Sequence, residues 1–393
     1  MSDGSKYDFL IIGGGIIGSS VARELAMRDM GPVAVLDKEQ ELGLHASGRN
    51  SGVLHSGINQ KPGSLKARMC VEGNRRVRVF CKEHGVRMEQ CGTVVVSRNR
   101  REEETLELLI GMGSQAGVEG LRIMDRDELA GREPAVTGEK ALISPNGSIV
   151  DSVALVRAVA ADARAKGAEY FLGAEVTGID RGTVVTSRGD FRAGHVINCA
   201  GLYTDRVASM MGAGAGYRII PFRGEYMELQ NCPVNSMVYQ VPDLRYPFLG
   251  VHLTKTVDGE VLAGPTAMLS FGRESYEKQI RPGESLAMLA GVNFWRLVSS
   301  AEFLRLVAYN GKISFFDRAF LAEIRTLCPQ ARMEDIAPYR SGIRAQMVDR
   351  KGRMVDDMLV EFREDSTHVL NAVSPGMTAA LAFAGYIVDN MKR

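Results

Sequence analysis

The chain has 393 residues, in which 48 lysines and arginines are balanced by 47 aspartates and glutamates for a net charge of +1. This balance gives no reason to expect a nucleic-acid partner, which would call for a basic patch. No stretch approaches the ~18 uninterrupted apolar residues of a membrane span, and the length allows two domains or one large interleaved pair.

Six cysteines are scattered through apolar and turn contexts and contain no C-x-x-C pair. This pattern predicts reduced thiols in a cytosolic enzyme, with neither a disulfide framework nor a zinc site, and we expect no metal. The cysteines are Cys70, Cys81, Cys91, Cys199, Cys232 and Cys328. The first apolar run begins close to the N-terminus and leaves no room for a signal peptide, so we expect a cytoplasmic protein.

The first predicted unit is a strand at residues 9–12, a glycine turn of the form G-x-G-x-x-G, a helix and a second strand at residues 32–36. Gly13 allows the tight turn, Gly15 lets the backbone approach a diphosphate, and Gly18 lets the helix pack close on the strand. The helix N-terminus at Ile16 and Ile17 then faces the diphosphate.

The second strand ends in Asp37, about 20 residues after the turn, where an acid accepts hydrogen bonds from a ribose 2′-OH. This unit predicts a dinucleotide, NAD or FAD. The acid argues against the 2′-phosphate of NADP.

Residues 43–67 are rich in glycine and serine and predict an irregular loop that follows a ligand surface. Downstream, the patterns predict helices at residues 65–83, 101–112 and 152–166, the last with Asp151 as its N-cap. Short strands are predicted at residues 93–97, 169–172, 175–179 and 195–199.

Alternating strands at residues 217–261 predict an antiparallel sheet, in which Asp258 and Gly259 mark a hairpin. The pattern at residues 284–326 predicts mostly helical structure. Strands follow at residues 343–348, 359–361 and 368–370, and a glycine-containing turn leads into a last helix at residues 378–391.

This order predicts an α/β fold with a discontinuous Rossmann-type dinucleotide-binding domain and an inserted α+β substrate domain with an antiparallel sheet. We predict that residues 1–82, 148–212 and 334–393 form the first domain. Residues 83–147 and 213–333 would form the second.

Several segments together resemble one family, the L-2-hydroxyglutarate dehydrogenases/oxidases, which belong to the D-amino-acid-oxidase-like FAD-dependent flavoproteins. They are the glycine turn, HASGRNSGVLHSG, KPGSLKA, VINCAGLYTDRVA, PFRGEYMEL, VHLTKTVDGEVLAGP, SGIRAQMVD and HVLNAVSPGMTAALA, which span residues 7–390 in order. The resemblance implies bound FAD and oxidation of a 2-hydroxy dicarboxylate to the 2-oxo acid. Asn59 and Gln60 stand where the family commonly has aromatic residues. Thr266 stands where the family commonly has Asn.

Oxidation of an alcohol by hydride transfer to a flavin needs a base for the hydroxyl proton, and a histidine suits that task near neutral pH. His55, in the glycine-rich loop, is a candidate base or flavin hydrogen-bonding group, with a loop histidine bonded to backbone as the structural alternative. His252, in a strand, is a second candidate base or a sheet-face residue.

Arginine binds carboxylates through two parallel hydrogen bonds, so Arg223 and Arg344 are candidate substrate ligands. An internal salt bridge is the alternative for each arginine. Tyr239 is a candidate hydroxyl donor, as is Tyr226, or else each packs within its strand.

Residues for the cofactor are drawn from the first unit, the glycine-rich loop, the strand ends and the turn before the last helix, whose N-terminus suits an anionic flavin ring. They are Gly13, Gly15, Ile16, Ile17, Gly18, Asp37, Lys38, His45, Ser47, Asn50, Ser51, Val176, Gly201, Arg344, Pro375, Gly376, Met377 and Thr378.

The sequence thus predicts an FAD-dependent 2-hydroxyacid dehydrogenase or oxidase, with L-2-hydroxyglutarate as the first substrate to test. An amine or amino-acid oxidase, or a specialised biosynthetic oxidase of the same fold, is the alternative, and a flavin-binding regulatory protein is the non-enzymatic one. Quinone, oxygen and an electron-transfer protein remain open as acceptors. Residues 293–309 carry an apolar face that either touches the inner face of a membrane or packs over the substrate domain.

Overall fold

The computed structural model describes residues 6–242 and 250–392. The strands are β1 (Lys6–Ile12), β2 (Val33–Asp37), β3 (Val53–Leu54), β4 (Met88–Glu89), β5 (Thr93–Ser97), β6 (Arg122–Met124), β7 (Lys140–Ser144), β8 (Ser148–Val150), β9 (Glu169–Leu172), β10 (Val176–Asp180), β11 (Thr183–Thr186), β12 (Gly189–Asn198), β13 (Arg218–Leu229), β14 (Met237–Gln240), β15 (His252–Lys255), β16 (Val261–Gly264), β17 (Met268–Leu269), β18 (Ile336–Val348), β19 (Leu359–Phe362) and β20 (Ser366–Asn371). The α-helices are α1 (Ile16–Met27), α2 (Leu65–Glu83), α3 (Arg100–Gln115), α4 (Arg126–Arg132), α5 (Ser152–Ala165), α6 (Thr204–Met210), α7 (Pro282–Leu289), α8 (Val292–Val298), α9 (Ala301–Phe315), α10 (Asp317–Arg325) and α11 (Gly376–Asn390).

The first large sheet has a parallel centre, in which β1 pairs with β2 and β12, β2 pairs with β9, and β12 pairs with β20. Helices α1 and α11 pack on it through a core that includes Ile11, Leu25 and Phe383, all fully buried. The parallel order places the carboxyl ends of β1, β2 and β12 at one edge, where open α/β sheets bind ligands. The predicted Rossmann-type fold is therefore confirmed.

The second large sheet has nine strands and is antiparallel except where β14 runs parallel to β5. Its longest pairing joins β13 to β18 in antiparallel register from Arg218 opposite Val348 to Leu229 opposite Ile336. The predicted hairpin is present between β15 and β16, with Gly259 at a φ of +88°. Part of the predicted strand run at residues 217–261, namely residues 243–249, lies outside the described residues.

Strand β18 lies in this second sheet, although the sequence pattern assigned residues 334–393 to the cofactor domain. The predicted boundary at residues 333 and 334 therefore does not separate the two sheets, because β18 returns beside β13 before the chain re-enters the first sheet at β20. The other domain boundaries stay predictions.

The helix predicted at residues 152–166 is present as α5, and the Asp151 carboxylate accepts the expected capping hydrogen bond from the Ala154 amide at 3.0 Å.

The expectation that every cysteine is a reduced thiol is wrong for one pair, because Cys232 and Cys328 form a disulfide across 96 residues of sequence. Such a long separation leaves no local spacing signal that could have predicted the pair. The thiols of Cys70, Cys81, Cys91 and Cys199 are free.

Within residues 6–242 and 250–392, no helix is both long and apolar enough to span a bilayer.

Candidate active site

A cavity of about 920 Å³ is lined by residues from both large sheets. At one end it is bounded by the carboxyl ends of β1, β2 and β12 and the N-terminus of α1. At the other end it is bounded by β13, β15 and β18 and the N-terminus of α11. The cavity therefore joins the predicted nucleotide site to the predicted catalytic residues.

The glycine turn shapes the first end of the cavity. Gly13 has a φ of +104°, and a Cβ there would lie 2.4 Å from the Cys199 carbonyl oxygen, so only glycine fits without strain. A Cβ on Gly15 would lie 2.9 Å from Ser47 Oγ, which itself accepts a hydrogen bond from the Ile16 amide at 3.0 Å. Gly15, the N-cap of α1, brings no side chain of its own to the helix start, and the positive end of the helix suits a diphosphate even though Ser47 Oγ engages the Ile16 amide.

Gly18 does not line the cavity and acts through packing instead. A Cβ at this position would lie 1.9 Å from the Gly13 carbonyl oxygen, which belongs to the turn itself. The structural role predicted for this glycine therefore matches its surroundings.

Replacing Gly18 by alanine is expected to force the turn open, to cost about 1–3 kcal/mol or more of folding free energy, and to weaken FAD retention at least tenfold. Gly111→Ala is the matched control, because a Cβ on that helical glycine meets nothing within 4 Å and should raise helix stability slightly. Thermal unfolding and the flavin-to-protein absorbance ratio measure both effects. Normal FAD content in the Gly18 variant would contradict the role given to this contact.

Asp37 ends β2 with both carboxylate oxygens oriented by backbone amides. Oδ2 accepts from Gly14 N at 2.7 Å and Oδ1 accepts from Glu39 N at 2.9 Å. Burial raises the pKa of this carboxyl, and the two amide hydrogen bonds oppose that shift. A ribose hydroxyl can donate to the remaining lone pairs, as predicted from the sequence.

Lys38 and His45 line the same end of the cavity but are engaged with protein groups. The Lys38 ammonium contacts Glu39 and lies 2.6 Å from Glu274, while His45 lies 2.8 Å from Glu39 and 2.7 Å from the Tyr276 hydroxyl. Glu274 and Tyr276 come from the segment that follows β17, so this network ties the two sheets together beside the cavity. No local pattern indicated Glu274 and Tyr276 as partners, because they lie far from Lys38 along the chain.

The N-terminus of α11 faces the other end of the cavity, with Pro375, Gly376, Met377 and Thr378 in the lining. No side chain caps this helix at Pro375. Thr378 Oγ1 accepts a hydrogen bond from the His55 amide at 3.0 Å, which fixes the glycine-rich loop against the helix start. A positive helix end in this position suits the negative charge of a reduced flavin ring.

His252 is 6% exposed and also lines the cavity. Its Nδ1 lies 2.9 Å from the Gly250 carbonyl, which can only accept, so Nδ1 carries the hydrogen in the neutral ring. Nε2 is then left with a lone pair that can take a proton. The Tyr239 ring stacks on the imidazole at 4.3 Å between centroids and holds its orientation.

Charge and burial keep both histidines of this region neutral. Burial lowers the pKa of His252 to about 3, and the nearby His55 and Arg344 add to the effect. Burial, followed by the charges of Arg344 and Lys66, lowers the pKa of His55 to about 4. Both rings are therefore available as proton acceptors at neutral pH.

Arg344 lines the cavity beside these histidines. Burial lowers the pKa of its guanidinium, and Tyr226 and Tyr239 oppose that shift. Tyr226 is in the lining as well, whereas Tyr239 is 5% exposed and its hydroxyl has no hydrogen-bond partner among the described residues.

Arg223, also predicted as a substrate ligand, is not part of the lining. It stands opposite Ile343, whereas Arg344 stands opposite Phe222, so the two arginines project from opposite faces of the β13–β18 pair. The Arg223 guanidinium lies 3.3 Å from Glu225, the internal ion pair weighed as its alternative.

Most predicted site residues are brought together by this one cavity, and three are not. Gly18, Arg223 and Tyr239 are outside the lining. Within it are Gly13, Gly15, Ile16, Ile17, Asp37, Lys38, His45, Ser47, Asn50, Ser51, His55, Val176, Gly201, His252, Arg344, Pro375, Gly376, Met377 and Thr378. The lining also contains Lys66, which the sequence reasoning missed and which only its position at the end of the glycine-rich loop could have indicated.

The model of a family described as FAD-dependent oxidoreductases matches residues 8–390. The chain belongs to this family. The enzyme is therefore an FAD-dependent oxidoreductase, and the choice of FAD over NAD is confirmed. The N-termini of α1 and α11, neither of which is capped by the side chain of its N-cap residue, line one cavity and fit the diphosphate and the ring of that cofactor.

Relatives named L-2-hydroxyglutarate dehydrogenase match nearly the whole chain. The chain is 37% identical over 398 residues to L-2-hydroxyglutarate dehydrogenase of Escherichia coli K12, covering 98% of this chain and 93% of the relative. It is 34% identical to the human mitochondrial L-2-hydroxyglutarate dehydrogenase, covering 99% and 89% of the two chains. The resemblance seen in the sequence motifs is thus confirmed over nearly the whole chain.

Solved structures show the same fold. The L-alpha-glycerophosphate oxidase of Mycoplasma pneumoniae with FAD bound superposes with a TM-score of 0.77 at 24% identity, covering 98% of this chain and 94% of that one. Glycine oxidase of Geobacillus kaustophilus has a TM-score of 0.71 at 19% identity, covering 99% and 96%. At these identities the likeness concerns the fold alone.

Proposed function

We propose that this flavoenzyme oxidises L-2-hydroxyglutarate to 2-oxoglutarate. The observation that carries the proposal is that a neutral His252, whose Nε2 lone pair is available, and the Arg344 guanidinium line the same cavity. The relatives named L-2-hydroxyglutarate dehydrogenase, at 34–37% identity, direct the choice of substrate.

Each residue then has a defined role. The C1 carboxylate of the substrate binds Arg344 through two parallel hydrogen bonds. His252 Nε2 accepts the proton of the C2 hydroxyl, and the C2 hydrogen leaves with its electron pair as hydride. FAD, when bound, is the acceptor of that hydride. His55 contacts the reacting groups from the loop side, and the N-terminus of α11 stabilises negative charge at the flavin ring.

Tyr239 and Arg223 act through other residues in this proposal. The phenol ring of Tyr239 keeps the His252 imidazole in place by stacking, at a centroid distance of 4.3 Å. Arg223 stabilises the second sheet through Glu225, which also lies 3.2 Å from Lys278.

Anaerobic reduction of the bound flavin tests the proposal. L-2-hydroxyglutarate is expected to bleach the flavin absorbance, and D-2-hydroxyglutarate to leave it unchanged. Glycine, L-proline and other amino acids belong in the same panel. Bleaching by an amino acid, without bleaching by any 2-hydroxy acid, would transfer the assignment to the amino-acid oxidase alternative.

For the electron acceptor, we propose a membrane quinone reached through peripheral contact. Nine of the 16 exposed large hydrophobic side chains among the described residues lie between residues 271 and 316, and we infer that they form one apolar surface. The nine are Phe271, Ile280, Leu286, Val292, Trp295, Leu304, Tyr309, Phe315 and Phe316. Exposed cations are interspersed, and Lys278 Nζ lies 5.9 Å from the Phe315 ring centre, a combination that suits anionic lipid headgroups.

Replacing Phe315 and Phe316 together by serine is expected to weaken binding to phosphatidylglycerol-containing vesicles about tenfold to hundredfold, because two exposed phenylalanines no longer enter the interface. Leu108→Ser is the matched control, since Leu108 is 60% exposed on α3, outside this surface. Vesicle co-sedimentation measures the effect. Equal binding by both variants, or no vesicle binding by the unaltered protein, would contradict the membrane contact.

A further inference from the structure

Lys66 projects into the cavity from the first turn of α2. Its amide donates to Asp357 Oδ1 at 2.7 Å, and the adjacent Leu65 amide donates to Asp357 Oδ2 at 3.1 Å. This carboxylate caps α2 from outside the helix and fixes the position of the lysine backbone. The Lys66 side chain is 13% exposed, so its ammonium is held at the cavity rather than extended into solvent.

Among the described residues, the Lys66 ammonium forms an ion pair with Asp356 at 2.9 Å, and the Asp356 side chain is 64% exposed. An ammonium carries three donor hydrogens, so this contact leaves capacity for a second acceptor. Because the Asp356 carboxylate is largely exposed, solvent screens this pair more than it would a fully buried one. A carboxylate entering the cavity therefore finds a lysine that can bind it without breaking a buried ion pair.

The catalytic end of the cavity has a positive balance of charge. The positive charges of Arg344 and Lys66 both lower the pKa of the His55 ring, which lines the same cavity. Among the described lining residues, the acids other than Asp356 are found near β2 and β10, at the nucleotide end; they are Asp37, Glu39, Glu41 and Glu175. Lys66 and Arg344, together with the lining residue Lys61, outnumber Asp356, which is the one carboxylate of the described lining away from the nucleotide end, and this balance suits a dianion better than a monoanion.

We propose that Lys66 binds the second carboxylate of a dicarboxylate substrate, while Arg344 binds the carboxylate next to the reacting carbon. This assignment rests on the proposed function and deepens it, since it makes Lys66 the residue that selects a 2-hydroxy dicarboxylate over a 2-hydroxy monocarboxylate. Asn59 and Gln60, which line the same part of the cavity, can donate further hydrogen bonds from their amides.

The test compares L-2-hydroxyglutarate with L-2-hydroxypentanoate, which has the same carbon chain and a methyl group in place of the second carboxylate. Lys66→Met is expected to lower kcat/KM for the dicarboxylate about tenfold to hundredfold, mainly through KM. For the monocarboxylate the change should stay within about twofold, because its methyl end does not contact the ammonium. Lys66→Arg should restore part of the discrimination.

Binding without turnover gives an independent readout. Titration calorimetry with glutarate, which lacks the hydroxyl and cannot react, is expected to show the same tenfold to hundredfold loss of affinity in Lys66→Met, with little change for pentanoate. FAD content and thermal stability establish that the variant is folded. Lys82→Met, an exposed lysine in the last turn of the same helix, is the matched control.

One set of results would contradict the role of Lys66 as the ligand of the second carboxylate, and a different result would contradict the proposed oxidation of L-2-hydroxyglutarate. If Lys66→Met lowers kcat/KM equally for both substrates, or leaves both unchanged, the second-carboxylate role is wrong although the enzyme acts on L-2-hydroxyglutarate. If the loss appears instead in Lys61→Met, the other lysine at this part of the lining, the role belongs to Lys61. Failure of the unaltered enzyme to be reduced by L-2-hydroxyglutarate is instead a failure of the proposed function.

Discussion

Replacing Arg344 by alanine is expected to lower kcat/KM for the 2-hydroxy acid by about 10²–10³, while FAD stays bound. When the guanidinium is absent, a substrate carboxylate in this buried region lacks two charge-assisted hydrogen bonds. Most of the energetic cost of removing the carboxylate from water is then no longer compensated. Steady-state kinetics combined with the visible flavin spectrum measures both parts of the expectation.

Arg344→Lys is expected to recover only part of the loss, because an ammonium cannot form the two parallel hydrogen bonds of a guanidinium. Arg223→Ala is the matched control on the neighbouring strand. Its side chain is outside the cavity and pairs with Glu225, so KM should change little even where stability falls. Loss of flavin from the Arg344 variant would show that this arginine supports the structure rather than the substrate.

Replacing His252 by glutamine is expected to slow anaerobic flavin reduction by about 10²–10⁴, the range associated with loss of a general base. The dissociation constant of the substrate should change much less, because Arg344 still binds the carboxylate. Stopped-flow reduction at several substrate concentrations separates the two quantities. A larger effect of His55→Gln than of His252→Gln would assign the base to the loop histidine.

The pH dependence follows from the same histidines. Their pKa values, about 3 for His252 and about 4 for His55, lie below the ordinary value of 6.5. The folded enzyme therefore keeps both histidines neutral at neutral pH. On acidification, kcat/KM should decline only below pH 5. A limb centred near pH 6.5 would contradict the burial of the base.

The sign of the stability effect is also determined. At a pH between the folded and unfolded pKa values, the unfolded chain binds more protons at these histidines than the folded enzyme does. Their contribution to the free energy of unfolding is therefore complete above about pH 6.5 and declines as pH falls toward 4. In His252→Gln, the loss of stability on acidification over this range should be smaller than in the unaltered enzyme. Urea unfolding at pH 5 and pH 7.5 measures the difference.

The nucleotide half of the site was predictable because its signals are local. Gly13, Gly15, Gly18 and Asp37 lie within one strand–helix–strand unit, and each is required by backbone geometry that neighbouring residues determine. The last helix could be anticipated in the same way, since its start is marked by a proline and a glycine.

The catalytic half depended on pairings between distant segments. Arg223 and Arg344 are equivalent as sequence signals, yet the register of β13 against β18 turns one into the cavity and the other toward Glu225. A side-chain period of two residues means that a shift of a single residue would exchange those faces. No pattern within either strand specifies that register.

By itself, the sequence determined a Rossmann-type dinucleotide-binding unit and predicted the residues that would hold the nucleotide, because these depend on short-range backbone constraints. Only the tertiary structure decided that Cys232 pairs with Cys328, that His252 carries its free lone pair on Nε2, and that Lys66 shares a cavity with Arg344. Each of these features depends on groups that folding brings together from distant parts of the chain. The separation of two residues along the sequence does not determine how far apart they lie in the folded protein.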